Sequence, residues 1–161
     1  MVGQRLRQIK REIRVLGVAV KQSSSGFIIV GVVYRGSLWL DGVLFAHSEE
    51  ADITEAISQM LFGSPHSGQV RVILLSKDNL PSEVRFYPKE LNEKTGKPII
   101  FLGDTAETTS NWSNGYEKTT FSAIGLGRWS AEGVLRASTR QGVTPEALRV
   151  AILTLSVLPN E

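Results

Sequence analysis

No cysteine occurs among the 161 residues, which excludes disulfides, thiolate metal sites and cysteine nucleophiles together. That composition suits a reducing compartment, and a cytoplasmic location is the expectation. Long apolar runs are also missing. No stretch approaches the roughly 18 residues needed to span a bilayer, so no membrane role is expected. Met1 to Arg14 carries charges in place of an apolar signal core, so secretion is not expected, and the acceptor pattern Asn111-Trp112-Ser113 reads as chance. The chain has no Gly-x-Ser-x-Gly elbow. Gly125-Leu126-Gly127 precedes a helical pattern but lacks the third glycine and the Lys-Ser/Thr of a phosphate loop, so it reads as a strand-to-helix turn. The two histidines, His47 and His66, sit in separate segments with no helical i, i+4 pairing and read as ordinary surface or loop residues.

What is present describes an ordinary globular chain. Hydrophobic residues make up 42% and charged residues 21%, a balance that supports one packed core. One domain spanning 1–161 is expected, with residues 1–11 as a basic N-terminal arm. Net charge is +2 but unevenly placed. Arg5, Arg7, Lys10, Arg11 and Arg14 face only Glu12 in the first 14 residues, a local balance of +4. A basic arm on a near-neutral body tracks phosphates, or is simply a solvated terminus.

The hydrophobic pattern changes period along the chain. Glu12 to Val20 and Phe27 to Tyr34 are apolar enough to be buried strands, and Leu38 to Ala46 completes a meander. A helix begins near Asp52 with Ile53, Ala56, Ile57, Met60 and Leu61 on one face, and stops near Gly63. Val70 to Leu75 is a fourth strand, Pro88 to Lys94 a short helix, and Pro98 to Leu102 a fifth strand. Gly103 to Gly115, rich in Gly, Ser and Asn, reads as a mobile loop, and Lys118 to Leu126 as a further strand. Two helices close the chain, at about Ser130 to Thr139 and Pro145 to Leu158. The last has Thr144 at its N-cap and Pro145 at N1, with apolar residues all round it. Three consecutive strands followed by alternating helix and strand give an α/β fold. Its sheet is mixed, an antiparallel meander followed by parallel strands joined by right-handed crossovers, with helices flanking it in the ribonuclease H-like order.

Specific segments sharpen this. Lys10 to Gly17 (Lys-Arg-Glu-Ile-Arg-Val-Leu-Gly), Gly31 to Gly36, Leu40 to Leu44 and Asp52 to Ile57 resemble an uncharacterised, largely archaeal family related to endonuclease V. So do His66 to Leu75, Thr95 to Ile100 and the closing Pro145 to Ala151. The ordered set covers nearly the whole chain. The resemblance implies a ribonuclease H-like fold and a nucleic-acid substrate.

The departures bear on chemistry. Where the family's first strand ends in an acidic Gly-Ile-Asp-Asp-Gly type of motif, this chain reads Gly17-Val18-Ala19-Val20-Lys21. Where the fourth strand ends in Leu-Asp-Gly, it reads Leu75-Ser76-Lys77, and the stretch after Gly103 looks shorter. Magnesium takes hard oxygen ligands, and paired ions about 4 Å apart need converging carboxylates. Lysine, alanine and serine cannot supply them, so the chain reads as a pseudoenzyme with no cofactor. Mg²⁺ or Mn²⁺ enters only if a relocated cluster of Asp41, Asp52 and Glu55 forms a working nuclease. Asp52 and Glu55 also match a capping box, Asp41-Gly42 also matches turn or sheet-edge chemistry, and Asp78 is offset from the expected position.

Candidate nucleic-acid contacts are Arg11, Arg14, Lys77, Arg140, Arg149 and Trp112. Arg128 and Arg136 lie in the same C-terminal set, and Ser138-Thr139-Arg140 and Leu148-Arg149-Val150 resemble family segments. Arginine forks bind phosphate at two points, but Arg140 or Arg149 paired with an internal carboxylate would instead fix the final helix. Among the tryptophans, Trp112 reads as an exposed base-stacking contact, Trp39 as core or sheet surface, and Trp129 as a further candidate. Three functions follow: a degenerate endonuclease V-like domain that binds nucleic acid or serves as an assembly subunit, a metal-dependent endonuclease, or a protein-interaction module. Partners are thus nucleic acid, or a homodimer or larger complex.

Overall fold

The computed structural model describes residues 9–104 and 109–159. Most of the basic arm, 1–8, lies outside the described residues, as do 105–108 of the segment expected to be a loop.

Among the described residues seven strands form one sheet. The first three, β1 (Arg14–Ser23), β2 (Gly26–Arg35) and β3 (Trp39–Ser48), make the expected antiparallel meander. Strands β4 (Val72–Ser76) and β5 (Ile99–Leu102) then add parallel to β1. Strands β6 (Ser110–Ser113) and β7 (Lys118–Ile124) close the far side antiparallel, giving the order β3-β2-β1-β4-β5-β7-β6. Helices α1 (Thr54–Phe62), α2 (Pro88–Thr95), α3 (Arg128–Ser138) and α4 (Glu146–Ser156) flank it. The fold class is the mixed α/β sheet expected from the sequence.

Strand alternation builds two apolar layers. Val15 and Ala19 of β1, Val30 and Val32 of β2, and Val72 and Leu74 of β4 point to the side of α3 and α4. Leu16, Val18 and Val20, with Ile29, Ile73 and Leu75, point to the side of α1. The central strands are covered on both faces, which is why they read as nearly continuous apolar runs in the sequence.

Three local readings change. Ser110–Ser113, expected as loop, is a strand, because Ser110 to Ser113 pair with Phe121 to Lys118 and Trp112 is drawn into the core. The N-cap of α4 is Pro145, in place of Thr144, with extended ψ and no side-chain cap. Helix α4 buries one face, with Ala147, Leu148, Ala151 and Leu155 inward and Ile152 and Leu153 exposed, in place of apolar contact all round. Among the described residues no helix is long and apolar enough to cross a membrane.

Candidate nucleic-acid interface and the ends of the central strands

Helix α4 lies directly on β1, and Gly17 allows it. A Cβ at Gly17 would stand 2.5 Å from the Ala147 carbonyl carbon and 2.7 Å from the Leu148 nitrogen, both backbone atoms that cannot rotate away. Two residues further on, on the same face of the strand, Ala19 is fully buried beneath the helix. Lys21, on the same side of the strand, reaches the end of α4 and donates to the carbonyls of Leu155 at 3.0 Å and Leu158 at 2.5 Å. The lysine therefore satisfies orphan carbonyls at a helix C-terminus, where the macrodipole also favours positive charge.

At the neighbouring strand end, Ser76 is half-buried, and Lys77 opens a single 3-10 turn, Lys77–Asn79. The Lys77 ammonium donates to the Asp104 carbonyl at 3.0 Å, and the Asp104 carboxylate accepts from Thr120 at 2.7 Å. Asp78 stands exposed in the turn. The positions at which the resemblance implies acids are thus taken up by core packing at Ala19 and Val20 and by a half-buried serine.

The three residual acids do not form one cluster. Asp41 lies at the beginning of β3, beside the irregularity in β2–β3 pairing, and is gripped by two arginines: Arg14 Nε at 3.0 Å and Arg35 Nε at 2.9 Å from both carboxylate oxygens. Burial pushes its carboxyl up, but the hydrogen bonds and charges of Arg35 and Arg14 outweigh that and hold it below the usual value of 3.8. Asp52 and Glu55 follow the opposite end of β3. Asp52 accepts from the Thr54 amide at 3.1 Å, and Glu55 pairs with Lys94 of α2 at 2.6 Å, whose hydrogen bond and charge lower the glutamate's pKa. The capping box does not form, because Ile53 is the N-cap and Glu55 turns outward to Lys94. His47 meets Ser25, and His66 packs beside Gly42. Among the described residues no three His, Cys, Asp or Glu side chains are placed to hold a metal ion. The relocated cluster of Asp41, Asp52 and Glu55 is therefore not assembled among the described residues.

Positive charge gathers at the other end of the sheet, where β1 begins and β2 ends. Arg14 and Arg35 are directly paired across β1 and β2. The Arg35 guanidinium lies 5.4 Å from the ring centre of Trp39, which is 43% exposed on the sheet edge. Arg140, beyond α3, donates to the Ser37 carbonyl at 2.6 Å, tying its exposed guanidinium to the β2–β3 turn. Arg11 and Arg136 line a recess of about 470 Å³ with Ile9, Ser37, Leu38, Gly133 and Ala137, and a second recess of about 580 Å³ is lined by Ile9, Lys10, Arg11, Glu12 and Leu38. Gly36 makes this closure fit: at φ +54° it adopts a left-handed turn, and a Cβ there would strike the Arg11 carbonyl.

The candidate contacts thus separate. Arg11, Arg14 and Arg140 come together at this basic end, whereas Lys77 lies at the opposite end of β4. Arg149 forms a fork to Glu146, at 2.9 and 2.7 Å, and the buried carboxylate raises its pKa. The pair lies within α4, three residues apart, and ties the helix to no other element. Trp112 corrects the expectation of an exposed base-stacking residue. It is only 3% exposed, its indole N–H donates to the Val143 carbonyl at 3.1 Å, and Arg136 covers its ring at 5.5 Å. The segment's polar composition concealed this, since one large aromatic supplies the burial. Trp129, in contrast, is 82% exposed beside Arg128. Arg35 was missed in the sequence because it reads as the border of a turn; its alignment with Arg14 appears only once β1 and β2 are in register.

No protein-family model matches the chain. Among solved structures, endonuclease V of Bacillus subtilis superposes with a TM-score of 0.66 over 93% of this chain and 83% of its own, at 10% identity. A protein of unknown function from Archaeoglobus fulgidus superposes with a TM-score of 0.75 over 89% and 96%, at 17% identity. The fold is that of the endonuclease V class. In sequence, the UPF0215 protein of Methanothermobacter thermautotrophicus is 40% identical over 108 residues, 63% of this chain and 53% of that protein. The UPF0215 protein of Methanopyrus kandleri is 35% identical over 119 residues, 68% of this chain and 60% of that one. These alignments span between half and two thirds of the relatives' length. That of Pyrococcus furiosus is 26% identical over 185 aligned positions covering 95% of both chains, an alignment longer than this chain itself, so the relative carries segments absent here. The chain is a homologue of the archaeal UPF0215 proteins.

Proposed function

We propose that the chain is a catalytically degenerate endonuclease V-like domain that binds nucleic acid through its basic end. The single observation carrying this reading is the opposition of the two ends of the central strands. The end that the resemblance equips with acids presents Ala19, Ser76 and the helix-bound Lys21, while the other end collects Arg11, Arg14, Arg35, Arg136 and Arg140 beside an exposed Trp39. Arginine forks with an adjacent aromatic face suit a phosphate backbone carrying accessible bases. Arg14 is held by Asp41 and sets the field, whereas Arg11 and Arg140 are exposed and available to phosphate. A reducing, cytoplasmic setting is part of the same reading and rests on the absence of cysteine.

The test has two arms. A labelled single-stranded oligonucleotide should bind at low salt, weaken steeply as salt rises, and bind less well to Arg140→Ala. Single-stranded and deaminated oligonucleotides incubated with Mg²⁺ or Mn²⁺ should remain intact. Metal-dependent cleavage lost on Glu55→Gln would sink the degenerate-enzyme reading in favour of a nuclease. No affinity even at low salt would leave a protein-interaction role.

A further inference from the structure

We infer that β3 is the contact strand of a two-fold homodimer in which the sheets of two copies join edge to edge. Strand β3 is ten residues long and terminates the sheet. A bare strand edge is a template for another strand, and proteins that stay monomeric blunt it with lysine, proline or a covering segment. Trp39–Ser48 contains neither lysine nor proline, and its one acid, Asp41, and the irregularity in its pairing are confined to its first residues. Among the described residues none of its backbone groups takes part in a turn, loop or cap hydrogen bond.

The side chains fit the same partner. The shift of pairing between Val33 and Tyr34 places Leu40 opposite Tyr34, while Val43 and Phe45 stand opposite Val32 and Val30. Tyr34, Val32 and Val30 all belong to the layer beneath α3 and α4, so Leu40, Val43 and Phe45 line one face of the edge. Leu40 is 46% and Phe45 56% exposed. Antiparallel pairing of two β3 strands, about a two-fold axis normal to the sheet, keeps this face on one side and lays the apolar residues of each copy against the other's.

Charge complementarity selects a second copy of this chain. The start of β3 is flanked by Arg35 and by Arg140 on the Ser37 carbonyl, and its end runs into exposed Glu49 and Glu50. An antiparallel copy brings the acidic end of each strand to the basic end of the other, twice over. The inference shares Arg140 and Trp39 with the proposed nucleic-acid surface, but it is read from oligomeric state alone, in the absence of nucleic acid.

Sedimentation equilibrium from micromolar to near-millimolar protein should give a monomer–dimer equilibrium. Phe45→Lys should raise the dissociation constant at least about tenfold. Glu49→Lys with Glu50→Lys should weaken the dimer in a salt-sensitive manner, and adding Arg140→Glu should restore it, a rescue that misfolding cannot produce. Monomer throughout the range overturns the inference and leaves the edge to a different protein. So does a dimer indifferent to Phe45→Lys and to the charge reversal.

Discussion

Lys21 and Leu155, separated by 134 positions in sequence, are joined by a 3.0 Å hydrogen bond from the lysine ammonium to the leucine carbonyl. Together with the bond to Leu158 it fastens the C-terminal end of α4 to the central strand. Lys21→Met keeps the apolar stem and removes the donors, so it should lower the free energy of unfolding by about 1–2 kcal/mol. Urea unfolding checks this, and stability equal to the parent would show that the end of α4 needs no cap.

Gly17 fixes the other end of the same helix. Gly17→Ala forces a methyl group against the backbone of Ala147 and Leu148, and the helix must shift or the strand bend. The expected loss is about 1–3 kcal/mol, larger than the usual small effect of adding one methyl group at a surface site. Thermal unfolding measures it.

Asp41 makes stability depend on pH in a defined direction. Its carboxyl is held below the usual value, so its contribution is present above pH 3.8 and is lost as pH falls through the lower folded-state value. Asp41→Asn removes this dependence and leaves Arg14 and Arg35 facing each other, with an expected loss near neutral pH of about 1–3 kcal/mol. Unfolding free energies between pH 3 and pH 7 should therefore converge for the two proteins toward the acid end, roughly as a single carboxylate titrates. A constant difference across that range would contradict the assignment.

Putting acids back at the strand ends should not rebuild a metal site. In Ala19→Asp with Ser76→Asp, one carboxylate enters a fully buried apolar layer against α4. The double variant should lose at least about 3 kcal/mol, and added Mg²⁺ should not return the melting temperature to that of the parent. A large Mg²⁺-dependent recovery would show that the ligand geometry has survived.

The sequence carried the sheet because the central strands are buried on both faces and rich in valine and isoleucine, as in Phe27 to Tyr34. Helix positions followed from Ile57, Met60 and Leu61 recurring at helical spacing. It could not reveal β6, whose four residues Ser110–Ser113 are polar except for one tryptophan and become a strand only by pairing with β7. The same physics hid the burial of Trp112. For the site, the missing acids at Ala19 and Ser76 were legible, since residue type alone decides whether a carboxylate exists. The basic end was only partly so. Arg11, Arg35 and the pair Arg136 and Arg140 come from three separate segments, and their meeting depends on strand register and on the turn at Gly36.

The most direct test of the central claim is the salt dependence of oligonucleotide binding, read by fluorescence anisotropy for three proteins. The parent should bind with affinity that falls linearly with salt on logarithmic axes. Arg11→Ala with Arg140→Ala should weaken binding at least about tenfold and lower the salt slope by about one for each phosphate contact removed. Lys77→Ala, at the opposite end of the sheet, should match the parent. Unchanged binding in the double arginine variant, with loss in Lys77→Ala, would place nucleic acid at the other end and contradict the account.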